Sequence, residues 1–373
     1  MISSEIISRL DSKIRPLLST LPPFFISYLY STARKYFLKK LAEEKPKLDL
    51  VIPLRPRKLW DIDFGSNLFN AAGMFKLAEG YQMCYQQGAG AYLAGTVTSF
   101  GRKGNKKFGI THPFLSYPKS FTASNWMGLP NPGSEVIAKA ISTIEKKKFC
   151  PIGVSISKNP DMDTQESLNL LVKDLFLFEK ANVDFIEINE SCPNVKHNIC
   201  KNDHCLGNDL IERLEFISIN FLKKRNRKLP VIVKLSNDTD ISLIPEILDA
   251  LFVLNYDGIN FGNTSTKYEE IKGKIIKSEL KFFDYFTTNF GGGVSGLPLK
   301  ESSLTLCQLA MDYHHKHLPK QEFNVIRTGG IFSKDDLLDS DKCGILLNQW
   351  FTGYFHNFSI YGHKLYQSIY KEY

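Results

Sequence analysis

Within six residues, Asn189-Glu190-Ser191-Cys192-Pro193-Asn194 sets out two amides, a hydroxyl and a thiol. The preceding Phe185-Ile186-Glu187-Ile188 reads as a β-strand, and Pro193, which has no N–H for a sheet ladder, ends it. In a parallel barrel, side chains at the C-terminal end of a strand point into the active-site mouth. Cys192 could act there as a base or nucleophile, since the thiolate is the reactive form. A lone cysteine is ordinarily buried and inert, so the assignment depends on its company. Lys234 is a second candidate, the one cation in the apolar strand Val231-Ile232-Val233-Lys234-Leu235-Ser236. Such a lysine is costly unless paired. No acid is near it in sequence, so a bound anion is the expected partner. The turns Gly291-Gly292-Gly293-Val294-Ser295-Gly296 and Thr328-Gly329-Gly330, with Thr352 beyond, match where many barrels hold a phosphate. Asn125, Asn189, Asn194 and Asn263 combine donors and acceptors, an inventory suited to a ring edge alternating N–H and C=O, such as a pyrimidine.

These groups need a scaffold, and the chain from Leu68 onward supplies one. Eight short strand candidates occur at 68–73, 91–98, 151–157, 185–191, 231–236, 258–263, 324–330 and 344–349. Helical spacing of apolar residues separates them, as at 168–181 and 210–224. Alternating strands and helices argue an α/β class with a parallel sheet, and eight repeats argue a closed (β/α)8 TIM barrel. The long connections 100–149 and 264–324 are expected to be lids or binding loops.

Residues 1–48 differ in kind and form an N-terminal helical extension ahead of a barrel domain at 49–373. After Pro22-Pro23, residues 24–41 read as an amphipathic helix with Ile26, Leu29, Ala33, Phe37 and Leu41 on one face. Arg34, Lys35, Lys39 and Lys40 gather in its second half. A shorter pattern, Ile6, Ile7, Leu10, Ile14, Leu17 and Leu18, precedes it. Two readings stand level: a hairpin lying in a membrane interface with its lysines among headgroups, or helices packed on the barrel.

A hydrophobic content of 43% supports a large core, and a formal charge of +8 suits an anionic small molecule, a phosphate-bearing cofactor or an anionic membrane surface. No nucleic-acid module is legible. Seven scattered cysteines suggest a reducing compartment, no signal-peptide pattern appears, and no run of eighteen apolar residues is present. His197, Cys200, His204 and Cys205 have no structural zinc spacing, and the expectation is a lid without metal. A Schiff-base role for Lys234 in an aldolase-like barrel is the competing chemistry.

Together, Asn189-x-Ser191-Cys192-Pro193-Asn194, Asn125-x-Met127-Gly128-Leu129-Pro130-Asn131, Gly292-Gly293-Val294-Ser295-Gly296-x-Pro298-Leu299 and Thr328-Gly329-Gly330-Ile331 resemble dihydroorotate dehydrogenase. The resemblance runs from about Leu68 to Thr352. It implies an FMN-containing barrel that oxidises dihydroorotate to orotate in pyrimidine biosynthesis. Cys192 then matches the base that takes the C5 proton, and Lys234 the lysine beside the flavin N1/O2 edge. Lys76, Asn125, Met127, Gly128, Leu129, Asn189, Asn194, Asn263 and Thr264 match substrate-holding positions. Ala72, Gly73, Thr96, Ser155, Gly262, Ser295, Gly296, Gly329, Gly330, Phe351 and Thr352 match the flavin cradle, to which Lys76, Asn125 and Asn189 also belong. The subclass signals are mixed. The cysteine base and the Met-Gly-Leu-Pro-Asn loop resemble the soluble class that uses fumarate or NAD. The extension and Lys76 resemble the membrane-associated class, although Phe75 stands where that class has Asp. The extension tips the expectation to a quinone acceptor and a peripheral enzyme on the cytoplasmic side of the cell membrane. The alternatives are a soluble cytoplasmic form or a related FMN-dependent pyrimidine oxidoreductase.

Overall fold

The computed structural model describes residues 2–18, 20–48, 53–190 and 208–371. Eight parallel strands carry the fold: β1 (Leu68–Asn70), β2 (Tyr92–Val97), β3 (Ile152–Ile156), β4 (Phe185–Asn189), β5 (Val231–Ser236), β6 (Gly258–Asn263), β7 (Asn324–Thr328) and β8 (Leu347–Trp350). Their order is β1-β8-β7-β6-β5-β4-β3-β2. Between β1 and β2 the ring is closed by side-chain and isolated backbone links. Asn70 Nδ2 donates to Leu93 O (2.7 Å), Leu93 N–H donates to Asn70 Oδ1 (3.1 Å), and Phe75 bridges Ala94. The strands are near-continuous Val, Ile and Leu runs because both faces are covered. Six of the strands are shorter than the apolar runs suggested, β1 and β8 among them. Gly344, at φ 76°, ends the preceding helix and delays β8, and the chain leaves β1 after Asn70 toward Gly73 at φ 95°.

Two helices precede the barrel, α1 (Ser4–Leu18) and α2 (Pro23–Glu43). The outer layer is α3 (Tyr81–Gln87), α4 (Ser134–Ser142), α5 (Thr164–Lys180), α6 (Asn208–Ile217) and α7 (Ile244–Val253). Helices α8 (Tyr268–Lys272) and α9 (Leu280–Asn289) belong to the connection after β6, and the outer layer continues through α10 (Lys300–His317), α11 (Lys334–Lys342), α12 (Thr352–Tyr361) and α13 (Leu365–Tyr370). Start signals are local: Asp163 caps α5 by accepting from the Gln165 and Glu166 N–H groups, and Ser333 and Asp336 form a capping box on α11.

The barrel interior is graded along its axis. Its floor is apolar, with Phe69, Leu93, Phe185, Ile232, Ile326 and Leu347 in one cluster with Trp60 and Phe64. Each fully buried Phe or Leu contributes about 1.5–3 kcal/mol, and Phe185→Ala would cost about 3–5 kcal/mol. Above the floor lies a polar layer of Glu187, Lys234, Asn260, Thr328 and Gln349, each at most 6% exposed.

The two long connections fold over the mouth instead of hanging free. Residues Phe114–Tyr117, Thr122–Asn125 and Gly293–Gly296 pair into an antiparallel sheet, so the two insertions share one cap. The extension rests on this cap and on the end of the barrel. Ser31 Oγ donates to Phe114 O (3.2 Å) and accepts from Phe114 N–H (2.9 Å). Glu44 accepts from Ser4 N–H (2.7 Å) and meets His363 Nε2 at 2.8 Å, and Glu5 accepts from His363 N–H (2.9 Å).

This docking corrects the expected face of α2. Ile26 and Leu41 are buried, but Leu29 and Ala33 are exposed and Phe37 is half-buried. The inward face is Ser27, Ser31, Arg34 and Leu38, because the helix presents the Ser31 hydroxyl to the cap sheet and the Arg34 guanidinium to the barrel end as well as apolar groups. The outward surface keeps Ile6, Leu10, Ile14, Leu17, Phe25, Tyr28, Leu29 and Tyr36 exposed.

Candidate active site

A cavity opens at the C-terminal ends of the strands, beneath the cap sheet. On the β1 side it is walled by Ala72, Gly73 and Lys76. Thr96 and Asn189 enter from β2 and β4, and Gly262, Asn263 and Thr264 from β6. The cap contributes Asn125, Met127, Leu129, Ser295 and Gly296, and the β7 and β8 ends contribute Gly329, Gly330, Phe351 and Thr352. Ser155 lies just behind, its Oγ 3.2 Å from Thr96 Oγ1. Gly128 sits in the cap loop at φ 70°, where an added Cβ would come within 2.3 Å of Asn105 Oδ1, so only glycine fits. Cys192 and Asn194, and the cluster His197, Cys200, His204 and Cys205, lie outside the described residues.

The amides form a relay across the mouth. Asn263 Nδ2 donates to Asn189 Oδ1 (2.7 Å), and Asn189 Nδ2 donates to Thr96 Oγ1 (3.0 Å). This fixes which face of each amide is left for a ligand. At the β7 and β8 ends, Ser295 Oγ and Thr352 Oγ1 are 2.8 Å apart, and Thr352 opens the ten-residue α12. Gly329 and Gly330 adopt φ of 134° and 67° beside them. Hydroxyls, glycine backbone and a helix N-terminus together suit a phosphate.

Lys234 is 3% exposed on β5 and lines the cavity. Its neighbours in sequence include no acid, but the fold supplies one. Its Nζ lies 3.3 Å from Glu187 Oε1 and 3.4 Å from Gln349 Oε1. Glu187 is on the neighbouring strand, two residues before Asn189, which is itself the register partner of Lys234. The period of two along a strand already aims Glu187 and Asn189 to one side. Only the strand pairing brings the carboxylate to the ammonium.

Sequence patterns also missed Arg34, which lines the cavity from α2. Its Nη2 donates to Gly73 O (3.3 Å), and its Cζ lies 5.4 Å and 5.8 Å from the Phe114 and Phe351 ring centroids. Its Nε has no hydrogen-bond partner, and no ion pair joins it to a carboxylate among the described residues. Burial pushes its pKa down to about 10, which leaves it charged at neutral pH. Nearby, burial first, then Lys35, Lys76 and Arg34, push His112 down to about 4, against a rise from its bond to Lys103 O. Asn237 Oδ1, a further buried atom of the wall, has no partner while its Nδ2 donates to Asn263 O (2.9 Å) and Thr328 O (3.1 Å).

A (β/α)8 barrel that gathers amides, hydroxyls and the cations Lys234 and Arg34 at the C-terminal ends of its strands has the arrangement of a barrel enzyme's active site. A family profile described as dihydroorotate dehydrogenase matches residues 56–372, and the chain belongs to that family. Similar proteins include one named dihydroorotate dehydrogenase (quinone) from Trichodesmium erythraeum, 26% identical over 80% of this chain and 74% of its own. Another of that name, from Nautilia profundicola, is 29% identical over 79% of this chain and 73% of its own. Among solved structures, dihydroorotate dehydrogenase from Eimeria tenella in complex with ferulenol has a TM-score of 0.73 at 19% identity, covering 91% of this chain and 89% of that one. That likeness fixes the fold. The chain is an oxidoreductase of the dihydroorotate dehydrogenase family.

Proposed function

We propose that this protein oxidises dihydroorotate to orotate with an FMN held in the barrel mouth, and passes the electrons to a quinone. The observation that carries the reading is a single cavity that joins the amide relay, Lys234 and the hydroxyl–glycine site to Arg34 of the extension. The donor set fits FMN: Gly329, Gly330, Ser295, Gly296 and Thr352 receive the phosphate. Ala72, Gly73, Thr96, Ser155, Gly262 and Phe351 flank the ring, and the orphaned Asn237 Oδ1 is one acceptor still to be satisfied. When bound, FMN supplies a hydride acceptor and a two-electron store.

The chain's own residues do the rest. Lys234 places positive charge where negative charge gathers on reduction, an effect already organised before the reaction. Lys76, Asn125, Asn189, Asn194, Asn263 and Thr264 hold the substrate ring and carboxylate, with Met127, Gly128 and Leu129 as the cover that excludes water. Cys192 takes the C5 proton.

Residues 1–48 form the acceptor-side unit of the protein, ahead of the catalytic unit at 49–373. Their exposed apolar side chains lie on a membrane surface from the cytoplasmic side, and lysines such as Lys35 and Lys39 suit anionic headgroups. No described helix is long and apolar enough to cross a membrane.

The test is an anaerobic half-reaction series on purified protein. Flavin absorbance at one FMN per chain, bleaching by dihydroorotate, and faster reoxidation by a quinone than by fumarate, NAD or oxygen are expected. A colourless protein that takes up no FMN overturns the reading, and faster reoxidation by fumarate or NAD moves it to the soluble type. Cys192→Ala should keep FMN bound and stop its reduction by dihydroorotate; normal reduction removes the assigned base.

A further inference from the structure

We propose that Glu187 is a positioning residue that holds Lys234 as a charged ammonium at the barrel mouth, a role that rests on the FMN reading above. Glu187 is 1% exposed and does not line the cavity, so it reaches a ligand only through another group. Its two oxygens have different surroundings. Oε2 accepts from Asn260 Nδ2 and Gln349 Nε2, both at 2.8 Å. Oε1 has no hydrogen bond and faces the Lys234 ammonium at 3.3 Å. The carboxylate is thus clamped by one oxygen and leaves the other as a counter-charge.

The clamp is itself fixed from behind. Thr328 Oγ1 lies 2.9 Å from Asn260 Oδ1 and 3.1 Å from Gln349 Oε1, with one proton to donate between them, and Asn260 Nδ2 donates to Gln349 Oε1 (3.2 Å), which ties the two amides together. Gln349 then presents N–H to the carboxylate and its oxygen to the ammonium.

Stability does not explain such a layer. Buried ion pairs are often no better than apolar groups of similar shape. The same strands build an apolar floor from Phe185, Ile232, Ile326 and Leu347 directly below. What the ion pair adds is a positive charge held at one place in the mouth, where a buried charge without a counter-charge is costly.

The probe is sulfite. It adds to N5 of an oxidised flavin and sends the electron pair to the N1/O2 edge, so its affinity reports positive charge beside that edge. In the FMN-loaded protein, Glu187→Gln keeps the shape and removes the counter-charge. Its sulfite dissociation constant should rise at least tenfold, to within about threefold of that of Lys234→Met. An unchanged or tighter constant overturns the proposal, because the ammonium then persists without its carboxylate. If Glu187→Gln alone does not fold, the double variant Glu187→Gln/Lys234→Met removes both charges. It should match Lys234→Met within twofold, whereas a further tenfold change would mean that the carboxylate acts on the ring directly. Failure of the native protein to bind FMN sinks the underlying reading instead, so the two failures are distinct.

Discussion

Lys234 and Arg34 enter one cavity from opposite walls, and their surroundings differ. Lys234 stands on a barrel strand with a clamped carboxylate at 3.3 Å. Arg34 stands on a helix of the extension with two aromatic rings, one carbonyl, the Met127 sulfur at 3.9 Å and an unpartnered Nε. A buried charge that is paired is part of the architecture. A buried charge with donors left over is waiting for an acceptor. The barrel side therefore carries its own electrostatic balance, and the extension side is completed by what binds, which under the proposed function is an oxygen of the quinone.

The contrast can be broken by substitution. Lys234→Ala should have the largest effect, lowering flavin reduction by dihydroorotate about 10²–10³-fold and weakening FMN binding. Unchanged rates and flavin content in stopped-flow and equilibrium titration would remove Lys234 from the site. Arg34→Ala should leave that half-reaction within about twofold while slowing reoxidation by quinone about 10–100-fold, the worth of a hydrogen bond from a charged donor. Equal reoxidation rates would place the acceptor elsewhere.

Removing residues 1–48 should abolish quinone turnover and spare flavin reduction, at some cost in solubility because Ile26 and Leu41 are part of the core. Intact quinone turnover in that variant would separate the extension from the acceptor.

The smallest effect concerns His112, which sits among the cations of the extension side and is held near 4. Its folded-state pKa lies below the unfolded value of 6.5, so the folded form is favoured above that pH and loses stability as pH falls toward about 4. Melting temperatures of native protein and His112→Gln should converge above pH 7 and separate below it, with the native protein losing more. In Arg34→Ala, the His112 titration followed by NMR should move up slightly, because burial, Lys35 and Lys76 still hold it down. An unmoved titration would remove Arg34 from the groups that hold it down.

Much of this molecule is legible in local pattern. The eight strand positions appear as apolar runs because both faces of a barrel strand are covered, and Gly329-Gly330 and Thr352 mark the β7 and β8 ends. The hydrophobic reading of α2 fails for a physical reason. Its inward face contains Ser27, Ser31 and Arg34, of which Ser31 bonds the sheet edge and Arg34 reaches the cavity, so apolar periodicity points one step off. Glu187 is a subtler case. Alternation with Asn189 aims it inward, but its meeting with Lys234 depends on which strands pair and in what register.

By itself, then, the order of residues determines the alternation of strands and helices, the glycine turns and the chemical types gathered at strand ends. These follow from dihedral preference and side-chain period, which act over a few neighbouring residues. Only the tertiary structure decides which charges face one another, that Lys234 has a carboxylate and that Arg34 turns inward. Register and helix rotation are set by contacts between segments far apart in the chain, and no local propensity encodes them.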